Sequence, residues 1–232
     1  MSLDSFALFG LLQHRFSAQG WWPVSDEPLG PASYKKRLEL TEAQRLEICV
    51  GAMLTQNAAW SNAEKALANL KRRRVLDLDA LSAMNSKKLG GLIRSAGFFN
   101  QKADRLKRFC GHVKKNHGSV ERLLSRPLLI VRKELLSLHG IGPETADSML
   151  LYAGGHSVLV VDAYSRRLVQ RVFGKTMDYD ACQSFLMKGV PTDSEIFSDF
   201  HALIVRHAKE FCRVTPACEP CFLRKKCVFA RK

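Results

Sequence analysis

The chain has 232 residues, which is enough for one large domain or two small ones with a sizeable buried core. Its 36 lysines and arginines outnumber 22 aspartates and glutamates, and the formal net charge of +14 favours a polyanion such as nucleic acid as the partner. No stretch approaches the roughly 20 uninterrupted apolar residues that a membrane helix needs, so we expect no membrane partner.

The N-terminal stretch and the cysteines indicate the compartment. Residues 1–16 carry Asp4 and lack a basic leading region, which predicts an amphipathic helix rather than a signal peptide. Seven cysteines, four of them bunched near the C-terminus, are typical of a reducing compartment and a metal site rather than of disulfides. We therefore expect a cytoplasmic protein associated with the nucleoid.

The first long connection, residues 18–36, is polar and contains proline and glycine. It is interrupted by Trp21, Trp22 and Pro23. The two tryptophans either pin this loop to the body of the protein or line a binding pocket, and the sequence leaves both readings open.

Helices follow in close succession. Thr41 and Gln44 form the capping-box pattern that starts the first of them, which ends in the segment 54–57. The basic run 71–74 reads as a solvated helix end, and the lysines and arginines of the helix that opens at Gly97 should also lie outside. The helices are predicted at about residues 41–53, 62–73, 78–84, 87–95, 97–116, 120–125 and 128–138.

A short turn, Gly140-Ile141-Gly142, connects two of these helices. Its glycines are expected to supply positive φ angles and a close backbone approach. Pro143 suits the first position of the next helix, predicted over 144–152. The exposed N–H groups at this helix start would suit a phosphate oxygen.

Asp162 stands at the head of another helix, after the apolar run Val158 to Val161. An aspartate in that position most often caps its helix. The remaining helices are predicted over 163–173, 179–188 and 194–210, and no segment alternates convincingly at period two. The predicted fold class is all-α.

Four cysteines are the strongest metal signal in the sequence. Cys212, Cys218, Cys221 and Cys227 are separated by gaps of five, two and five residues. Four thiolates within so short a segment can surround an iron-sulfur cluster or a zinc ion if the chain folds tightly about it. Cys49, Cys110 and Cys182 fall within helical patterns and should be buried apolar residues.

Together these features resemble the helix-hairpin-helix DNA glycosylases, in particular the endonuclease III branch. The resemblance covers roughly residues 37–230. It implies a two-domain all-α fold, with a six-helix barrel over 37–156 that contains the helix-hairpin-helix motif at about 128–153. Residues 1–36 and 157–232 would form the second domain, which carries the cluster loop 212–227, and a DNA cleft holding Asp162 would lie between the domains.

The resemblance also implies partners and site residues. The partner is double-stranded DNA that contains a damaged base, bound by a monomer. Gly140, Ile141, Gly142 and Thr145 would bind the DNA backbone, and Gln56 would fill the space left by an extruded base. Trp22 and Trp60 would stack on that base, with Trp21 and Phe98 behind them. Cys212, Cys218, Cys221 and Cys227 would hold a [4Fe-4S] cluster, with zinc as the alternative; their first gap has five residues where the family usually has six.

Two acidic residues define the expected chemistry. Asp162 matches the family's catalytic carboxylate, which would stabilise positive charge on the sugar and orient water. Glu144 stands where bifunctional members carry a lysine that forms a Schiff base. The resemblance therefore implies a monofunctional, hydrolytic glycosylase with weak or absent lyase activity at abasic sites.

The features around the expected pocket look most like those of the 3-methyladenine glycosylases of the endonuclease III type. They imply an alkylated purine as the base that is removed. One alternative is an endonuclease III-like glycosylase for mismatched or oxidised bases with weak lyase activity. The other is a non-catalytic iron-sulfur protein that binds DNA.

Overall fold

A computed structural model describes residues 3–27, 30, 32–34 and 39–231. The chain divides into two compact units. One consists of Met1–Trp21 together with Ser157–Lys232, and the other of Trp22–His156.

The regular secondary structure of the described residues is almost entirely helical, which confirms the predicted fold class. Two short strands, β1 (Val24–Ser25) and β2 (Ala32–Ser33), pair in an antiparallel hairpin that the sequence did not predict. The helices are α1 (Ser5–Phe16), α2 (Glu42–Leu54), α3 (Trp60–Arg72), α4 (Leu78–Ala83), α5 (Ser86–Leu92), α6 (Phe99–Asn116), α7 (Val120–Leu124), α8 (Leu128–Ser137), α9 (Pro143–Ser148), α10 (Ala163–Phe173), α11 (Tyr179–Met187) and α12 (Ser194–Glu210).

The unit Trp22–His156 is organised around α2. The capping box predicted at its start is present, because Thr41 Oγ1 accepts from the Gln44 amide and Gln44 Oε1 accepts from the Thr41 amide. Every residue of α2 from Leu46 to Leu54 is buried. Helices α3, α6, α7 and α9 all pack against it, so α2 is the central helix of this unit.

Helices α8 and α9 form a helical hairpin. Pro143 occupies the first position of α9, as predicted. The second helix does not continue regularly to residue 152, because α9 ends at Ser148 and passes into one π-helical turn, Met149–Ala153. An ion pair between Arg132 and the fully buried Asp147 joins the two helices of the hairpin. Arg132 Nε lies 2.7 Å from Asp147 Oδ1.

The structure divides the chain at Trp22, whereas the sequence placed this boundary near residue 36. Trp22 and the described residues that follow it belong to the unit Trp22–His156, where Ser25 finds hydrogen-bond partners. The Gln44 side chain donates to Ser25 O at 2.9 Å. Lys71 Nζ contacts both Ser25 Oγ and Glu47 Oε1, so Lys71 is buried and does not form part of a solvated helix end.

The unit formed by Met1–Trp21 and Ser157–Lys232 joins two distant parts of the chain. Helix α1 packs against α11 and α12, with the rings of Phe9 and Phe200 5.2 Å apart. Helix α10 packs against the same two helices. After α12 the chain continues in short 3₁₀ turns, Arg224–Lys226 and Phe229–Arg231. Within the described residues, the helices lack the combination of length and apolar character required to cross a membrane.

Candidate active site

Asp162 is the N-cap residue of α10. Its Oδ1 accepts from the amide of Ser165 at 2.7 Å and from the Ser165 hydroxyl at 2.9 Å, and its side chain is 14% exposed. Burial raises the pKa of this carboxyl group, but the hydrogen bonds and charge of His201 and the bonds from Ser165 outweigh burial and hold the pKa below its ordinary value. Asp162 is therefore ionised at neutral pH.

His201 was not identified from the sequence. It lies on α12, and its Nε2 is 3.4 Å from Asp162 Oδ2. The side chain of His201 is 8% exposed. A single histidine at a helical position gives no sequence signal that separates it from an ordinary core residue, so only the packing of α12 near α10 reveals it.

Glu144 is exposed in the first turn of α9. Its carboxylate cannot form an imine with a sugar aldehyde. Position 144 lies two residues beyond Gly142, so an acid occupies the start of the helix that follows the turn.

The two glycines of the turn differ in conformation. Gly140 has φ +88°, and a Cβ atom there would lie 2.4 Å from Cδ of Arg105. Gly142 has φ −94° and is exposed, and a Cβ there would meet no atom within 4 Å. The expectation that both glycines supply positive φ was therefore wrong. Gly140 alone needs that freedom, whereas Gly142 leaves its backbone open to solvent.

Gln56 is held against the turn by three hydrogen bonds. Its Nε2 donates to Gly140 O and to Thr145 Oγ1, both at 2.9 Å. Arg105 Nη1 donates to Gln56 Oε1 at 2.9 Å. Gln56, Gly140 and Thr145, which were singled out separately in the sequence, therefore form one network, to which the structure adds Arg105. Ile141 is buried beneath the turn.

Lys102 supports the same region from inside. The side chain was expected on the surface of α6, but the residue is only 2% exposed. Its Nζ donates to Leu54 O at 2.8 Å and to Ala96 O at 2.7 Å. The ammonium group thus satisfies the carbonyl at the end of α2, two residues before Gln56.

Trp22 and Trp60 are in contact with each other. Their rings meet edge to face with centroids 5.3 Å apart, and the ring of Tyr152 lies 5.3 Å from that of Trp22. Gly51 allows the Trp22 ring to lie close to the backbone of α2, because a Cβ at position 51 would lie 3.2 Å from that ring.

The two other aromatic residues occupy different positions. Trp21 belongs to the unit formed by Met1–Trp21 and Ser157–Lys232, where its carbonyl oxygen accepts from Ser198 Oγ at 3.0 Å. Phe98 precedes α6 with φ +45° and is 65% exposed. A bulky residue held in the left-handed region and pointed at solvent is uncommon.

The four C-terminal cysteines face one cavity. Cys212, Cys218, Cys221 and Cys227 all line it, and all four are free thiols. Arg171 Nη1 lies 3.5 Å from Cys212 Sγ, and His207 Nε2 lies 3.4 Å from Cys221 Sγ. Burial raises the pKa of the Cys221 thiol, and the other three cysteines raise it further.

The donor set is chemically suited to an iron-sulfur cluster. A tetrahedral zinc ion bound at about 2.3 Å requires its ligand sulfurs to lie about 3.8 Å apart. In the part of the chain that the structure describes, one set of three potential ligand atoms lies within 4.8 Å of one another. That set contains no cysteine. Four thiols spread around a common cavity suit the larger body of a cluster.

Comparisons with known proteins identify the family of the chain. Residues 50–192 match the family described as HhH-GPD superfamily base excision DNA repair protein. A protein of Methanocaldococcus jannaschii, provisionally named a DNA repair glycosylase, is 37% identical over 227 residues, which cover 96% of this chain and 95% of that protein.

Two solved structures are similar to the chain. The H. pylori 3-methyladenine DNA glycosylase MagIII, bound to 1,N6-ethenoadenine, has a TM-score of 0.74 and 30% identity, covering 90% of this chain and 98% of that one. An endonuclease III trapped covalently on DNA has a TM-score of 0.77 over 99% of this chain and 98% of its own, but at 19% identity it shows only the fold. The chain therefore belongs to the HhH-GPD superfamily of base excision DNA repair proteins and is a DNA glycosylase of that family.

Proposed function

We propose that the protein is a monofunctional DNA glycosylase that hydrolyses the bond between a flipped, alkylated purine and its deoxyribose. The observation that carries this proposal is the combination of an ionised, largely buried carboxylate at Asp162 with an acid, rather than an amine, at Glu144. The first can stabilise a cationic sugar, and the second cannot bond to it.

In the proposed reaction the bond from C1′ to the base nitrogen breaks, and its electron pair leaves with the base. The sugar becomes cationic, and the carboxylate of Asp162 stabilises that charge. A water molecule then adds its oxygen to C1′ and loses a proton, for which Asp162 is the acceptor. The products are the free base and an abasic sugar in an intact strand.

Glu144 explains why we propose no strand cleavage. Cleavage by a bifunctional glycosylase needs an amine that attacks C1′ and remains attached as an imine. A carboxylate provides no such nitrogen. Water is therefore the nucleophile in the proposed mechanism.

The aromatic cluster of Trp22, Trp60 and Tyr152 supports an alkylated purine as the base. Alkylation at N3, as in 3-methyladenine, makes the purine in DNA cationic, so electron-rich indole and phenol faces attract it by cation–π and stacking interactions. The neutral 1,N6-ethenoadenine would be held by stacking alone. A cationic base is also a good leaving group, so no strong acid is needed to protonate it. The similarity to an enzyme solved with 1,N6-ethenoadenine supports the same class.

The turn Gly140–Gly142 is the proposed contact with the DNA backbone. Gly142 is exposed and has open space around it, so a phosphate can approach its amide closely. Thr145 is buried and bonded to Gln56, so its proposed role is to position the turn rather than to meet solvent.

Gln56 and Phe98 are the proposed residues that occupy the space left in the base stack. Flipping a nucleotide costs a few kcal/mol, part of which a side chain inserted into the gap offsets. Phe98 is already exposed, whereas Gln56 must exchange its bonds to the turn for contacts with DNA.

Cys212, Cys218, Cys221 and Cys227 are the proposed ligands of a [4Fe-4S] cluster. When bound, the cluster would cross-link the C-terminal loop, and its redox chemistry is not needed for hydrolysis. His207 and Arg171 lie close enough to the sulfurs to donate hydrogen bonds to them. A brown protein with four iron and four sulfide per chain would support this assignment, whereas a colourless protein with one zinc would exclude it.

A panel of duplexes tests the proposed activity. The duplexes contain 3-methyladenine, 1,N6-ethenoadenine, uracil or thymine opposite guanine, or thymine glycol, and the released base is measured by mass spectrometry. We expect release of the alkylated adenines without strand cleavage. Release of only mismatched or oxidised bases would exclude the substrate class, and DNA binding without any release would exclude the enzyme.

A further inference from the structure

Two imidazoles converge on one carboxylate oxygen in the unit Trp22–His156. His112 Nε2 lies 2.7 Å from Glu134 Oε1, and His117 Nε2 lies 2.6 Å from the same atom. His112 is in the last turns of α6, His117 is the residue that ends that helix, and Glu134 is in α8. Residues from two helices thus direct three potential ligand atoms to one point, all within 4.8 Å of one another.

The atoms of His112 and Glu134 that point away from the shared oxygen also have partners. Asn116 Nδ2 lies 3.0 Å from His112 Nδ1, and the same amide turned about its terminal bond places its oxygen there to accept the Nδ1 proton when Nε2 binds an ion. Arg126 pairs with Oε2 of Glu134, the carboxylate oxygen that the imidazoles do not contact. Partners of this kind orient metal-binding histidines and carboxylates in known sites, because they fix the ring and the carboxylate plane.

The cluster is open to an ion from solution. The side chains of His112, His117 and Glu134 are 24%, 11% and 19% exposed, so they are half-buried but not sealed. Neither α6 nor α8 has to unfold for an ion to enter.

We propose that His112, His117 and Glu134 bind a divalent transition-metal ion of the zinc class, with water completing a tetrahedral site. Two neutral imidazoles and one carboxylate form a ligand set that zinc accepts, with bonds of about 2.0–2.2 Å. Ligand atoms around such an ion lie about 3.3 Å apart, so the observed separations must widen by about 0.6 Å. Small rotations of the three side chains supply that change.

The position of the site suggests what the ion does. Its ligands join the end of α6 to α8, and α8 is the first helix of the hairpin that carries the Gly140–Gly142 turn. A bound ion would therefore stabilise that hairpin. The site is distinct from the four C-terminal cysteines, which belong to the other unit of the chain.

Cobalt and zinc titrations of the purified protein test the site. Cobalt bound here should give visible d–d bands without the strong charge-transfer absorption that thiolate ligands produce. Zinc should raise the melting temperature of the protein, and a chelator should reverse the rise. We expect the His112→Gln, His117→Gln double variant to bind at least tenfold more weakly, and His14→Gln, on the exposed face of α1, to bind like the wild type.

A second measurement needs no variant and so does not depend on how the variants fold. Zinc should protect His112 and His117, but not His14, from modification by diethyl pyrocarbonate, as read by mass spectrometry. Equal modification with and without zinc, or unchanged cobalt spectra in the folded double variant, would overturn the proposal.

Discussion

The Nε2 atom of His201 lies 3.4 Å from Oδ2 of Asp162, whereas both bonds from Ser165 go to Oδ1. The two oxygens of Asp162 therefore have different surroundings. One oxygen caps α10, and the other faces an imidazole from α12. The capping role expected of an aspartate at this position and the proposed catalytic role are thus compatible.

His201→Asn should move the acidic limb of the pH–rate profile toward higher pH. The folded-state pKa of Asp162 is depressed, so its ionised form, and the stability that this form contributes, persist until the pH falls through that lowered pKa. Removing His201 removes part of the depression, so activity should be lost at a less acidic pH. Single-turnover excision rates measured against pH would show the shift. An acidic limb that does not move would mean that His201 does not act on Asp162.

Asp162→Asn should reduce the excision rate by about 10²- to 10⁴-fold, because the charge is lost from the reacting sugar. Asparagine still caps a helix, so the melting temperature should change little. Asp178→Asn is the matched control, since Asp178 caps α11 in the same way by accepting from the Ala181 amide at 2.8 Å. If both variants retained full excision rates, Asp162 would be a cap without a catalytic role.

Gly140→Ala should affect the stability of the protein, whereas Gly142→Ala should affect its affinity for DNA. The first places a Cβ against Arg105 at a positive φ and should lower the free energy of unfolding by about 1–3 kcal/mol. The second meets open space at an ordinary φ, so stability should be unchanged while DNA affinity falls. Denaturant unfolding and DNA-binding titrations separate the two quantities. Equal losses of stability would contradict the conformations of this turn.

Lys102→Met should lower the free energy of unfolding by about 1–3 kcal/mol, because the carbonyls of Leu54 and Ala96 lose their buried donor. Lys115→Met, on the exposed face of the same helix, is the control and should be nearly neutral. Thermal and denaturant unfolding of both variants would measure the difference.

The Lys102 effect should depend on pH. Burial, followed by the charge of Arg105, lowers the pKa of Lys102 from 10.5 to about 8. Between those values the unfolded chain binds more protons than the folded one, so wild-type stability relative to Lys102→Met should rise with pH. A difference that stays flat across this window would show that the pKa of Lys102 is not lowered.

Glu144→Lys should create a covalent intermediate that the wild type does not form. A lysine there would supply the amine needed to attack C1′, so borohydride should trap an enzyme–DNA adduct visible on a denaturing gel. Glu144→Gln has no amine and should remain negative. Trapping of the wild-type protein would contradict the proposed use of water as the nucleophile.

Local sequence signals predicted most of the helices. The bounds of α10 and α12 were correct because an aspartate starts each helix and apolar residues follow at helical spacing. The hairpin was also recognisable, since Pro143 and Gly140 serve positions that few other residues tolerate.

Partners distant in sequence could not be predicted in this way. Lys71 and Lys102 have the spacing of solvated cations, yet both are buried. Lys71 pairs with Glu47, and Lys102 donates to carbonyl oxygens at the ends of neighbouring helices. His201 and the convergence of His112 with Glu134 depend on how helices pack, which residue spacing alone does not determine. The pairing of β1 with β2 was missed because two-residue strands are too short to show alternation.

The discontinuous unit, made of Met1–Trp21 and Ser157–Lys232, constrains the order in which the protein can fold during synthesis. The segment from Trp22 to His156 is complete once it leaves the ribosome, so it can fold first. Helix α1 is synthesised before α11 and α12, the helices that cover its apolar side. Until they emerge that side stays uncovered, so α1 is a segment of the nascent chain to which we expect a chaperone to bind.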